Sequence, residues 1–156
     1  AQAYEKAVRI APADTAAQVN LAIAYSRLDQ HDRAARVLQD TVRTDSQNAI
    51  AWSALGAVYM QAKEYQQAIS ALNVAQKIDS SSGEIWYNLG AAHESLKQYP
   101  PAVDAYREAL RINPKDALAL KRLGIVYAIQ GDGDRAAEVH QTLLKLDPHA
   151  AGELRK

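Results

Sequence analysis

Four histidines, His31, His93, His140 and His149, are the side chains of this sequence best suited to ligate a metal or move a proton near neutral pH. None stands near enough to another to form a local ligand pair, and no metal site is expected. There is no cysteine, which removes disulfides, thiolate metal sites and a cysteine nucleophile. "SSSG" at 80–83 has the composition of a phosphorylation site, but reads better as a turn whose serine caps the next helix. "GDGD" at 131–134 has the composition of a calcium loop without its spaced ligands or closing glutamate, and also reads as a turn. No glycine-rich phosphate loop follows a strand, and no nucleophile, base and orienting group stand together. The reading is therefore of a protein with no catalytic residues and no cofactor. Lys+Arg and Asp+Glu both number 18 and are mixed along the chain, so no basic stripe invites nucleic acid. What remains is recognition chemistry: the amides of Asn20 and Asn88 and the cations of Lys121 and Arg122 suit a peptide backbone or a carboxylate.

Those four residues need elements to hold them. The stretch 49–62, "AIAWSALGAVYMQA", contains no charge and no proline. A helix without a polar face is buried on every side or lies in a membrane. No apolar run here reaches the roughly 18 residues a bilayer requires, so a buried helix is predicted and direct membrane insertion is not. The neighbouring sequence shows why burial is available. Trp52 and Trp86 lie 34 residues apart, and the same step relates Gly56, Gly90 and Gly124. It also relates Ala34, Ala68, Ala102 and Ala136, then Leu21, Leu55, Leu89 and Leu123, and finally Tyr25, Tyr59, His93 and Tyr127. Within each unit these residues recur at i, i+3, i+4 and i+7, one face of a helix. First helices are expected at 15–28, 49–62, 83–96 and 117–130, each followed by a second helix. Pro12, Pro114 and Pro148 end second helices, whereas Pro100 and Pro101 fall in a first turn, where proline is tolerated. Glycine inside a helix costs about 1 kcal/mol against alanine, so its recurrence points to close helix contacts.

Trp52, Leu55, Gly56 and Tyr59 form W-x-x-L-G-x-x-Y; Ala102 and Tyr106 continue it, and Pro114 closes it. With the 34-residue period, this resembles the tetratricopeptide repeat (TPR). The resemblance covers nearly the whole chain and implies an all-α, right-handed superhelical solenoid of antiparallel helix pairs. In that register 1–14 is the second helix of a partial repeat, and the full repeats are 15–48, 49–82, 83–116 and 117–150. Residues 151–156 open a further helix or form a frayed end. The start "AQAYEKAVRIAP" is already amphipathic helix, and the chain reads as a piece of a longer protein. The sequence leaves the compartment open, with cytoplasm favoured over periplasm.

By the same resemblance, the face of each first helix opposite the signature lines a concave groove that binds a protein or peptide segment. Its residues are Val19, Asn20, Ile23, Ile50, Ser53, Ala57, Met60, Tyr87, Asn88, Ala91, Leu118, Lys121, Arg122 and Ile125. Ala16, Ser26, Glu84, Glu94 and Ala128 share those columns. A contiguous apolar patch of this kind usually marks an interaction site. The carboxylate clamp of some TPR cochaperones is not reproduced: its positions hold Ser53, Ala57, Asn88, Leu118 and Arg122, and only Asn88 and Arg122 fit. The function expected is an interaction scaffold. Two alternatives stand beside it: a substrate-presenting TPR arm of an enzyme such as a glycosyltransferase, and a module that self-associates through exposed solenoid ends. The asparagine ladder of such enzyme arms is interrupted here by Ala54 and Arg122.

Overall fold

The computed structural model describes residues 1–146; Pro148, His149 and the segment 151–156 lie outside the described residues. Among the described residues there are helices and no strands: α1 (Gln2–Ile10), α2 (Thr15–Ser26), α3 (His31–Thr44), α4 (Ala49–Gln61), α5 (Tyr65–Ile78), α6 (Gly83–Ser95), α7 (Tyr99–Ile112), α8 (Ala117–Ile129) and α9 (Gly133–Leu146). The first helices begin where the period puts them and stop one or two residues short of the expected ends. The reason is a turn that recurs with the same 34-residue step. Asp29, Lys63, Lys97 and Gly131 all take left-handed backbone, with φ of 56°, 62°, 57° and 78°. The next amide reaches back to the carbonyl of the tyrosine column, as Gln30 N–H to Tyr25, Glu64 to Tyr59, Gln98 to His93 and Asp132 to Tyr127. This is the Schellman closure, which satisfies carbonyls left open at a helix end. Only glycine adopts that conformation without steric cost. Lys63→Gly and Lys97→Gly are therefore expected to stabilise the protein by about 1 kcal/mol each, and Gly131→Ala to destabilise it similarly. Urea midpoints at unchanged slope check this.

The other ends are capped from the side chain. Asp14 accepts from Ala17 N at 3.0 Å, Asn48 from Ala51 N at 3.0 Å, and Asp116 from Leu118 N and Ala119 N. Ser82 occupies the same position before α6, but its side chain makes no capping bond, contrary to expectation.

By internal contacts the chain divides into two compact units, Ala1–Ser80 and Ser81–Lys156. In the first, α2 pairs with α3 and α4 with α5, while α1 packs on α2 and α3 on α4. Its core joins Leu21, Tyr25, Leu38, Val42, Leu55 and Val58. In the second, α6 pairs with α7 and α8 with α9, while α7 packs on α8. Its core centres on Val103, Tyr106, Leu123, Val126 and Tyr127. Second helices are amphipathic: α3 buries Ala34, Ala35, Leu38, Thr41 and Val42 on one stripe and turns its charges outward. First helices are covered from more sides. Ala51, Leu55 and Val58 of α4 are buried, which explains most of its missing charge.

The glycine column behaves unevenly. A Cβ on Gly56 would sit 2.5 Å from Leu72 Cγ, and one on Gly90 would sit 2.6 Å from Tyr106 Cε1. At Gly124 the nearest atom would be Val139 Cγ1 at 3.5 Å, an ordinary contact. The expected close approach is thus real at two positions and absent at Gly124. There the second helix offers His140 in place of Leu72 or Tyr106.

Candidate functional site

The predicted groove residues sit on α2 and α4 in the first unit and on α6 and α8 in the second. Each pair of first helices is in direct contact within its unit. On α4, Ile50 is 73% exposed, and Ser53, Ala57 and Met60 are half-buried. On α2, Asn20 and Ile23 reach solvent. Val19 does not: it is 7% exposed and belongs to the core cluster with Leu55 and Val58. Its assignment to the binding surface is corrected, because α4 packs directly on α2 and takes up that edge of the face. Ser26, in the same column set, is also buried, and its hydroxyl donates to Gln61 Oε1. His31 Nδ1 lies 3.5 Å from that hydroxyl, and Asp29 lies 3.8 Å from His31 Nε2. The order of types suggests a nucleophile and base. However, the serine is buried and its proton is directed to Gln61.

In the second unit Leu118 is exposed, and Tyr87, Asn88, Ala91, Lys121 and Ile125 are half-buried. Arg122 is neither free nor simply solvated. Its guanidinium donates to Glu94 Oε1 at 2.8 Å, where the side chains are 39% and 11% exposed respectively. Tyr106 O–H donates to Glu94 Oε2 at 2.7 Å, and the Tyr87 ring tilts against Tyr106 at 5.8 Å between centroids. Burial, reinforced by the bond to Glu94, drives the Tyr106 phenol far above its ordinary pKa. Burial pulls Arg122 down, but its hydrogen bond to Tyr106 and the charge of Glu94 outweigh this and leave it raised. Arg122, Glu94 and Tyr106 form a bonded network, with the Tyr87 ring against it, that runs from the inner face of α6 and α8 to the buried Tyr106 of α7. Arg122→Ala would leave the largely buried Glu94 carboxylate with Tyr106 alone, and is expected to destabilise the fold by about 1–3 kcal/mol. A double-mutant cycle with Glu94→Gln should return a coupling of about 1 kcal/mol or more. The side chains of Asn20 and Asn88 carry no hydrogen bond among the described residues, leaving both amides available.

The histidines divide as their packing dictates. His93 bonds Gln98 Oε1 at 2.8 Å, as expected for a residue replacing the column tyrosine. Among the described residues no three His, Asp or Glu side chains gather as metal ligands. At "GDGD", Asp132 accepts from Arg135 N at 3.1 Å and Arg135 Nε at 2.6 Å, so it caps α9.

One surface was not anticipated. Opposite the inner face, a crevice of about 390 Å³ opens between α3 and α5, lined by Val42, Trp52, Leu55, Tyr59, Ala71 and Val74. Elsewhere the column tyrosine is covered by arginine: Arg33 lies 4.1 Å over Tyr25 and Arg135 lies 4.8 Å over Tyr127. In the second repeat the aligned residue is the shorter, uncharged Gln67. Gln67 itself lines the crevice.

Models described as "Tetratricopeptide repeat" match residues 19–83, 83–116 and 119–152. Among curated proteins no relative is found. Several solved structures are similar. A crystal structure of MamA is 25% identical with a TM-score of 0.87, over 97% of this chain and 88% of that one. YrrB, described as a TPR protein with an unusual peptide-binding site, is 25% identical with a TM-score of 0.80, over 94% of this chain and 75% of that one. MamA from residue 41 onward of Desulfovibrio magneticus RS-1 is 21% identical with a TM-score of 0.84, over 94% and 82%, which speaks to fold alone.

Proposed function

Because the chain belongs to the tetratricopeptide repeat family and is an all-α TPR solenoid serving protein interaction, we propose that it holds a peptide or helical segment of a partner against the inner faces of its first helices. The observation that carries this reading is the exposed apolar side chains where a soluble helix would place charge: Ile23 and Ile50 in the first unit, Leu118 in the second. YrrB, with its peptide-binding site, supports the same reading. The repeat division 15–48, 49–82, 83–116 and 117–150 is part of it. Within its own unit, Asn20 in the first and Asn88 in the second would set the register of a segment lying there by bonding its backbone. Arg122 would contribute donors not taken by Glu94, held in place by that pair. The surface is used for binding and not for catalysis, its partner is protein and not nucleic acid, and cytoplasm is the favoured compartment. No helix among the described residues is long and apolar enough to cross a membrane. A charge placed on the inner face tests the reading: partner affinity falls while the fold stays intact.

Self-association belongs to the same proposal. Ile10 of α1 is 75% exposed, and Leu144 and Leu146 of α9 are open as well. Exposed apolar surface of this kind tends to associate. Sedimentation is expected to show mass rising with concentration, and Ile10→Glu to suppress it; a strict monomer at high concentration contradicts the idea.

A further inference from the structure

Helices α2 and α4 contain no Asp, Glu, Lys, Arg or His over their whole length. Charge returns only at their ends, at Asp14, Arg27 and Lys63. On the elements packed behind them, α1, α3 and α5, Glu5 and Arg33 pair around Tyr25 and Arg43 pairs with Asp40, while Lys6, Arg9, Asp32, Arg36 and Lys77 are the other charged side chains. The inner face of this unit, with Asn20, Ile23, Ile50, Ser53, Ala57 and Met60, is therefore neutral and apolar with a few hydrogen-bonding groups. Burial explains the missing charge at Ala51, Leu55 and Val58, but not at Ile50, which is exposed. The same columns in the second unit carry Glu84, Glu94, Lys121 and Arg122, so the repeat itself does not forbid charge there.

We propose that the inner face of α2 and α4 takes an uncharged, apolar stretch of a partner protein and rejects charged ones. This rests on the inner-face reading above and names its partner class. The argument is electrostatic complementarity. A Lys, Arg, Asp or Glu laid on this face would lose hydration and find no counter-charge, so the cost is not recovered. An apolar side chain over Ile23, Ile50 and Met60 loses no such hydration and removes apolar surface from water. Because no ion pair contributes, binding here is neither steered nor held by charge, and its salt dependence is weak.

The test selects random 12-residue peptides by display against the intact chain, with the Ile50→Glu variant as counter-target and a melt confirming that variant is folded. Peptides that need Ile50 are expected to be apolar and uncharged across their central positions. Their affinity should change by less than about twofold between low and high salt, and a central Lys or Glu should weaken them by roughly tenfold or more. If Ile50-dependent peptides carry charges and weaken with salt, the partner class is wrong while the inner-face reading stands. If selected peptides ignore Ile50→Glu and fail on Arg107→Glu, the inner-face reading itself is overturned. If Ile50→Glu abolishes self-association in sedimentation and no Ile50-dependent peptide is recovered, the occupant is a second copy and the proposal falls.

Discussion

Gly90→Leu is expected to destabilise the protein by about 3 kcal/mol or more, while Gly124→Ala leaves it unchanged or slightly more stable. A Cβ at Gly90 would lie 2.6 Å, 2.7 Å and 3.0 Å from three ring atoms of Tyr106. That ring cannot swing away: it is fully buried and its hydroxyl is anchored to Glu94. The whole of α6 must shift from α7, or the Tyr106–Glu94–Arg122 network must break. At Gly124 the added methyl meets Val139 at ordinary distance and relieves the helix of glycine's backbone entropy, worth about 0.5–1 kcal/mol. Melts or denaturant midpoints of the two variants beside the wild type measure this. Equal losses at both positions would mean the two glycines do the same work, against the geometry.

The period made the helices, their starts and the pairing of first with second helices legible, because the same side-chain contacts recur every 34 residues. Gly56 and Gly90 were legible as close contacts, but Gly124 was misread. What matters is the residue sixteen positions later, Leu72, Tyr106 or His140, and a column of glycines does not display it. The left-handed turns were hidden because Lys63 and Lys97 stand where glycine would announce them. Val19 looked like its column mates, yet its burial depends on α4 pressing on α2, a contact between repeats. Glu94 and Arg122 were both placed on the inner face, but as separate charges. Their opposite signs in adjacent repeats were the available signal for the pair. The Trp52 crevice is lined from α3, α4 and α5, Gln67 among its residues, so it needs three helices in place before it shows.

Ile50 on α4 and Ile125 on α8 probe the inner face in the two units. Glutamate at either position puts a carboxylate into a contact that a bound segment would desolvate, and should weaken partner binding by roughly 2–3 kcal/mol, or about 30- to 150-fold. The two differ in their side effects. Ile50 is exposed, so Ile50→Glu should leave the melt within about 0.5 kcal/mol of wild type. Ile125 is half-buried on α8, so Ile125→Glu should cost about 1 kcal/mol of stability as well. Arg107→Glu is the matched control: Arg107 is exposed on α7, beside Tyr127 and Arg135 and away from the inner face. The deciding measurement is the affinity of a co-purified partner, once identified, for the wild type and these three variants at a temperature where all are folded. The inner-face account predicts large losses for Ile50→Glu and Ile125→Glu and wild-type affinity for Arg107→Glu. Wild-type affinity for both isoleucine variants, with loss on Arg107→Glu, would place the partner on the opposite face and contradict it.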